Sequence, residues 1–293
     1  MADLIRIANG ELSAAIDPLG AELSSLRDAD GRELMTDADP TYWTGRAPIL
    51  FPVVGRVTDD ATRIDGAAYP MPKHGFARRS MFEVVLAEET RAVFALSDTD
   101  ETRAVYPFSF RLEVGFRFDG ATLLTEVTIA NRGDTPMPAQ FGFHPAFAWP
   151  LPYGRDRAAH RIRFDRDEPG ELHAITPDGF IAAEGRPSPL DGRELALRDA
   201  LFADDALVWD PVRSQLLRYG AADGPQLDIA FPDTPRLGIW TKPGARFVCV
   251  EPWHGIADPA GYAGEYRDKP GVFAVAPGGE KRIAMSVTLV AEP

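Results

Sequence analysis

Between Phe108 and Phe118 the sequence alternates apolar and polar residues so regularly that a strand with one dry and one wet face is the natural way to accommodate it. Phe108, Phe110, Leu112, Val114, Phe116 and Phe118 are apolar, Ser109, Arg111, Glu113 and Arg117 stand between them, and Gly115 is the neutral exception. A period of two sends successive side chains to opposite faces, as in an antiparallel strand. Asp119-Gly120 follows as a hairpin-turn signal, and Leu123, Thr125, Val127 and Ile129 then alternate with Leu124, Glu126 and Thr128, which predicts the return strand.

Shorter alternating stretches at Leu12-Ala14-Ile16, Leu227-Ile229-Phe231 and Ile283-Met285-Val287-Leu289 predict further strands. The 26 glycines and 26 prolines are spread along the whole chain and leave little room for long helices. A short helical turn fits near Asp199 to Phe202, and Pro150 to Arg155 and Glu184 to Gly192 read as surface loops. Many strands with few helices predict an all-β sandwich or barrel. Strand-like sequence resumes on both sides of each loop, so residues 1–293 are expected to form a single domain.

A formal charge of −13 argues against nucleic-acid partners and against docking on an anionic membrane, both of which need a positive face. It leaves room for a phosphorylated small molecule held by a few local arginines. The one cysteine, Cys249, cannot form an intramolecular disulfide, and within Phe247-Val248-Cys249-Val250 it reads as a small core residue. Met1-Ala2-Asp3-Leu4-Ile5-Arg6 lacks an apolar signal region and no long apolar stretch follows, so the expected location is the cytoplasm. Oligomeric state is left open.

Three of the five histidines sit in unusual settings: His74 in Lys73-His74-Gly75-Phe76-Ala77-Arg78, His144 in Phe141-Gly142-Phe143-His144-Pro145-Ala146-Phe147, and His254 in Glu251-Pro252-Trp253-His254-Gly255. Polar residues wrapped in aromatics, glycine and proline describe a rigid, partly apolar wall with a few polar groups projecting, as in a small-molecule site. Glu251 ends the apolar run Phe247 to Val250 beside Trp253. Burial there would disfavour its charged form and raise its pKa, which suits a general base, and a structural salt bridge is the competing reading. Two histidines and a glutamate also make a metal triad, but no His-x-His or His-x-x-x-His pair supports one, so no metal and no cofactor are expected.

Taken in order, several segments resemble the aldose 1-epimerase family and, within it, a LacX-like branch. They are Pro18-Leu19-Gly20-Ala21-Glu22-Leu23-Ser24-Ser25-Leu26, Trp43, Ala47-Pro48-Ile49-Leu50-Phe51-Pro52-Val53-Val54-Gly55-Arg56, His74-Gly75-Phe76-Ala77-Arg78, Phe141 to Phe147, and Val248-Cys249-Val250-Glu251-Pro252-Trp253. The resemblance implies a large antiparallel β-sandwich of the galactose-mutarotase type with its cleft on a concave sheet face. It implies interconversion of the α and β anomers of a sugar, without a cofactor. His144 would be the general acid at the ring oxygen, Glu251 the general base at the C1 hydroxyl, and His74 an assisting histidine. Arg56 would bind sugar hydroxyls, and Asp205, with Asp204 as rival, would grip others.

Trp253, Phe143 or Phe76 would stack on the sugar, although most aromatics are simply core. Arg78 would hold a hydroxyl or a phosphate through its planar fork. Gly142-Phe143 before His144 and Pro145 after it depart from the Asn-His pattern of the best-characterised galactose mutarotases, which puts substrate identity in doubt. Three readings therefore stand: a mutarotase of a free aldose, a mutarotase of a hexose 6-phosphate, and a sugar binder without catalysis. If Glu251 and His144 share a cleft, each charge should favour the other and keep His144 protonated above its usual value of about 6.5.

Overall fold

The computed structural model describes residues 3–291; Met1 and Ala2, part of the N-terminal stretch read above, lie outside the described residues with Glu292 and Pro293. The predicted hairpin is present as Phe110–Asp119 paired with Thr122–Asn131. Its register sets Asp119 opposite Thr122, leaving Gly120-Ala121 as the turn. Gly120 takes φ 52° there, a left-handed conformation that glycine adopts without a Cβ penalty. Phe110, Leu112, Val114 and Phe116 are buried and Arg117 is exposed, so the alternation marks the faces as expected.

This hairpin lies in a nine-stranded antiparallel sheet with the order Glu194–Ala196, His160–Phe164, Leu216–Ala221, Gln226–Ala230, Glu280–Val290, Thr122–Asn131, Phe110–Asp119, Arg91–Ser97, Glu83–Ala87. A second sheet, of seven strands, runs Phe141–Gly142, Phe247–His254, Arg236–Trp240, Leu207–Trp209, Glu171–Ile175, Ile181–Pro187, with Ala146–Ala148 also paired to Phe247–His254. Side chains of both sheets share one hydrophobic core; Phe164 of the first meets Trp209 of the second with ring centroids 5.1 Å apart. Among the described residues, helix is limited to Asp100–Arg103 and five 3-10 turns, one of them the expected Asp199–Phe202. The fold is all-β. No helix among the described residues is long and apolar enough to cross a membrane.

One expected loop differs. Glu184 to Pro187 belong to the strand Ile181–Pro187, at the edge of the seven-stranded sheet. An edge strand has one partner only, so it tolerates Pro187 at its end and Gly185 opposite His173, where the side chain of Glu171 fills the space a Cβ would need.

Phe247–His254 is buried at all of its residues, though half of them face away from the inter-sheet core. Val248 and Val250 enter that core. Phe247 and Cys249 pack on the other face against Ala146 and Ala245, and Trp253 on that same face packs against Leu50, Val54, Ala206 and Val208. Period two therefore places Glu251 on this outer face, between Cys249 and Trp253.

Candidate active site

A cavity of about 300 Å³ opens on that outer face, with Glu251 and Trp253 on its floor. Two glycines shape the floor. Gly142 pairs with Trp253 and Gly238 pairs with Glu251 across the neighbouring strands. A Cβ on Gly142 would lie 2.6 Å from the indole, and one on Gly238 would lie 2.5 Å from its far edge. The ring can lie flat on the sheet only because both positions lack a side chain. The glycine before Phe143-His144, the point where this chain departs from Asn-His, thus has a packing reason.

His144 lies between Phe141–Gly142 and Ala146–Ala148, the two short strands that flank Phe247–His254. The Phe143 N–H donates to the Pro252 carbonyl and the Val250 N–H donates to the Pro145 carbonyl, which ties this segment down on both sides of the histidine. The imidazole stacks on Trp43, with centroids 4.9 Å apart and planes 26° apart, and meets Trp240 and His74 edge-on. Its Nε2 is 3.2 Å from Oε2 of Glu251, and its Nδ1 is buried without a partner.

His74 holds φ 67°. Its own N–H donates to the Gly55 carbonyl at 2.8 Å, while the Gly55 N–H donates to its Nδ1 at 3.1 Å. A ring nitrogen that accepts a hydrogen bond carries no proton, so the neutral ring has its proton on Nε2. Asp205 lines the cavity and Asp204 does not. Arg78 lines it too; its Nη2 donates to the Lys73 carbonyl at 3.1 Å and its Nε is buried with no acceptor.

The structure thus brings together His74, His144, Glu251, Arg78, Asp205 and Trp253. Arg56 does not join them. Its guanidinium is 3.4 Å from Asp60, donates to the Asp178 carbonyl and covers the ring of Phe180. It therefore braces the turn whose Gly179 and Ile181 line the cavity instead of reaching inside. His254 points to the opposite face of its strand, where it packs against Phe273 and lines a larger cavity of about 400 Å³. That cavity lacks the converging acid and imidazoles of the smaller one. Among the lining residues, sequence reasoning missed Lys73, Trp43 and Trp240 as site residues. Lys73 had only its place beside His74 as a signal, and tryptophans read as core by default.

Burial governs the titration here. It lowers His144 to about 3, with the charges of Arg78 and Lys73 adding to the effect. It also lowers His74, helped by His144, Lys73 and Arg78. Burial raises Glu251 well above the ordinary carboxylate range, the charge of Asp205 raises it further, and Lys73 opposes the rise. This overturns the expectation that Glu251 would hold His144 protonated above its usual value: in a site this dry, loss of hydration disfavours both charges more than the pair supports them. The pair therefore shares one proton over a wide pH range.

One set of potential metal ligands converges here. His144, Cys249 and Glu251 offer atoms within 4.8 Å of one another, and His74 is not among them. Burial, with the Glu251 charge second, raises the Cys249 thiol, so it stands protonated and is a weak ligand in that form.

Residues 3–187 match the family model described as Aldose 1-epimerase, more than half of the chain. The chain belongs to the aldose 1-epimerase family. The protein LacX of Lactococcus lactis subsp. lactis is 29% identical over 296 residues, covering 98% of this chain and 99% of LacX. A galactose mutarotase related enzyme from Lactobacillus acidophilus superimposes with a TM-score of 0.91 at 30% identity, covering 98% of this chain and 97% of that one. A galactose 1-epimerase from Lactobacillus acidophilus NCFM shares the fold at a TM-score of 0.72 and 13% identity, covering 100% of this chain and 96% of the other.

Proposed function

We propose that this aldose 1-epimerase family member is a mutarotase, which opens and recloses the ring of an aldose without metal or cofactor, and that residues 1–293 act as one domain. The observation that carries this reading is the 3.2 Å spacing of Glu251 Oε2 and His144 Nε2 on the cavity floor. The hydroxyl O1 and the ring oxygen O5 are bonded to the same carbon, so the base and the acid that serve them must present their atoms side by side. The shared proton first passes from Glu251 to His144 across their contact; Glu251 then takes the proton from O1 as C1–O1 becomes a carbonyl, the C1–O5 bond breaks, and His144 gives its proton to O5. The C1–C2 bond turns and the same transfers run backwards onto the other face of the carbonyl. Through the cycle the pair passes between an ion pair and a neutral pair, which hold the same number of protons.

The other residues divide the binding. Asp205 accepts from sugar hydroxyls, Arg78 and the His74 Nε2–H donate to them, and Trp253 offers its face to the C–H side of the ring. Arg56 braces the wall. The single cysteine needs no oxidising compartment, which fits work in the cytoplasm. Polarimetry on fresh α-glucose and α-galactose tests the reading. Faster mutarotation than in buffer alone supports it, and no acceleration with either sugar or with a hexose phosphate leaves a binder without catalysis. The rate should survive treatment with a chelator. A rate lost to the chelator and restored by zinc would move the chemistry to a metal at His144, Cys249 and Glu251.

One observation favours the hexose 6-phosphate as substrate. Among the described residues, neither Arg78 nor Lys73 has a carboxylate partner, and both line the cavity. An anionic group on the sugar would supply the acceptor that the buried Arg78 Nε lacks. A kcat/KM higher for glucose 6-phosphate than for glucose would select this substrate.

A further inference from the structure

The backbone from Pro52 to Thr58 forms the wall behind His74, and it is held alternately from two sides. On the side away from the cavity, the Pro52 carbonyl accepts from the Gln140 N–H at 2.7 Å and from the Tyr266 hydroxyl at 2.5 Å. The Val54 N–H donates to Gln140 Oε1 at 3.0 Å. The Arg56 carbonyl accepts from the Asp258 N–H at 2.9 Å, and the Thr58 N–H donates to the Asp258 carboxylate at 2.8 Å. On the cavity side, Gly55 makes its reciprocal pair with His74. Gly55 takes φ 73°, and a Cβ there would lie 2.5 Å from that of Ala257.

Lys269 joins the two stapling side chains. Its ammonium is 3.1 Å from Gln140 Oε1 and 2.9 Å from Asp258 Oδ1. Gln140, Asp258 and Lys269 are 0%, 4% and 3% exposed. Only an oxygen can accept from both an ammonium and the Val54 N–H, which fixes the amide orientation of Gln140. A buried ion pair is poor value for stability alone, since apolar residues of similar size often do as well. Geometry is the better account of this one.

We propose that Lys269, with Gln140 and Asp258, is a positioning unit for His74: it holds the Gly55 N–H on Nδ1 and thereby keeps the imidazole proton on Nε2, facing the sugar. The value of this for catalysis rests on the mutarotase reading, but the tautomer itself is read without any activity. A wrong tautomer would present a lone pair where a donor is needed.

The experiment combines ¹⁵N NMR of the histidine rings with mutarotation kinetics on wild type, Gln140→Leu and Gln140→Glu. Wild type is expected to show His74 as the Nε2–H tautomer at neutral pH. Gln140→Leu loses the contacts to the Val54 N–H and to Lys269, together with the 3.4 Å one from its Nε2 to the Pro270 carbonyl. The tautomers should then mix, and KM should rise about tenfold while kcat moves less than about threefold, because the His74 Nε2–H serves binding. Gln140→Glu keeps an oxygen for the first two donors and should restore tautomer and KM together. A folded Gln140→Leu protein with the wild-type tautomer overturns the proposal, and so does a Gln140→Glu protein as impaired as Gln140→Leu. If Gln140→Leu does not fold, Lys269→Met is read by the same spectrum: a mixed tautomer supports the unit and an unchanged one overturns it. A wild-type protein with the Nε2–H tautomer but no mutarotation sinks the functional reading alone.

Discussion

Glu251 Oε2 and His144 Nε2 stand 3.2 Å apart, one from a central strand and the other from the segment joining two short strands that pair with it. The pH dependence of the reaction follows from how this pair holds its proton. Burial lowers His144 to about 3 and raises Glu251. As pH falls, the pair gains a second proton only in strong acid, and the base is lost there. As pH rises through the raised value of Glu251, the last proton leaves and the acid is lost. The limbs belong to the pair and not to either residue. The mutarotation rate should therefore not fall as pH is lowered through about 6.5, where a free imidazole titrates. An acid limb there, with the rate lost as pH falls through about 6.5, would show that burial does not control the pair.

Removing either partner should stop the proton traffic while leaving the cleft. Glu251→Gln is nearly isosteric and cannot accept the O1 proton, so turnover should fall by about a hundredfold or more. His144→Asn should do likewise. Sugar affinity, measured by calorimetry on folded protein, should stay within a few-fold because Asp205, Arg78 and His74 remain. Wild-type turnover in Glu251→Gln would show that another group is the base.

The strands were legible because their period is local. The Phe110–Asp119 hairpin needs only its own residues to reveal its dry face, and Glu251 was legible because the apolar run before it marks a buried strand. Much of the site was not local. Trp240 enters the cavity through a strand register that no short window contains. Arg56 shows the limit from the other side: the motif places the residue, while Asp60 and Asp178 decide where its side chain goes. The sign of the His144 shift also escaped, because sequence reveals that two charges will be neighbours more readily than how dry their neighbourhood is.

Arg78 should act on binding more than on chemistry. It stays charged across the working pH range and cannot serve as a base. Its Nη2 is committed to the Lys73 carbonyl and its Nε awaits an acceptor, so recognition uses the planar fork. Arg78→Lys keeps the charge and loses the fork. KM should rise about tenfold, with kcat changed by less than about threefold, in steady-state assays on the preferred sugar. A fall in kcat at constant KM would place Arg78 at the reacting atoms.

The glycines under Trp253 give a prediction that separates packing from chemistry. Trp253 lies between Gly142 and Gly238, and a methyl at either would stand 2.6 or 2.5 Å from the ring. Van der Waals contact between carbons needs about 3.5–4.0 Å, so either the indole or a strand must give. The strand Phe247–His254 is paired on both sides and shifts with difficulty, whereas the indole is a single side chain that can turn about its own bonds. The ring should therefore be what moves, and it can only lift into the cavity. Gly142→Ala and Gly238→Ala should each cost about 1–3 kcal/mol, seen as a lower Tm. Sugar affinity should weaken because the floor has risen, while the pH profile of the remaining activity keeps its shape, since Glu251 and His144 are not altered. In a Trp253→Ala background the clash is gone, so Gly142→Ala should cost less stability there than in the wild type, a coupling that a double-mutant cycle measures. Additive losses would mean that the added methyl never meets the indole.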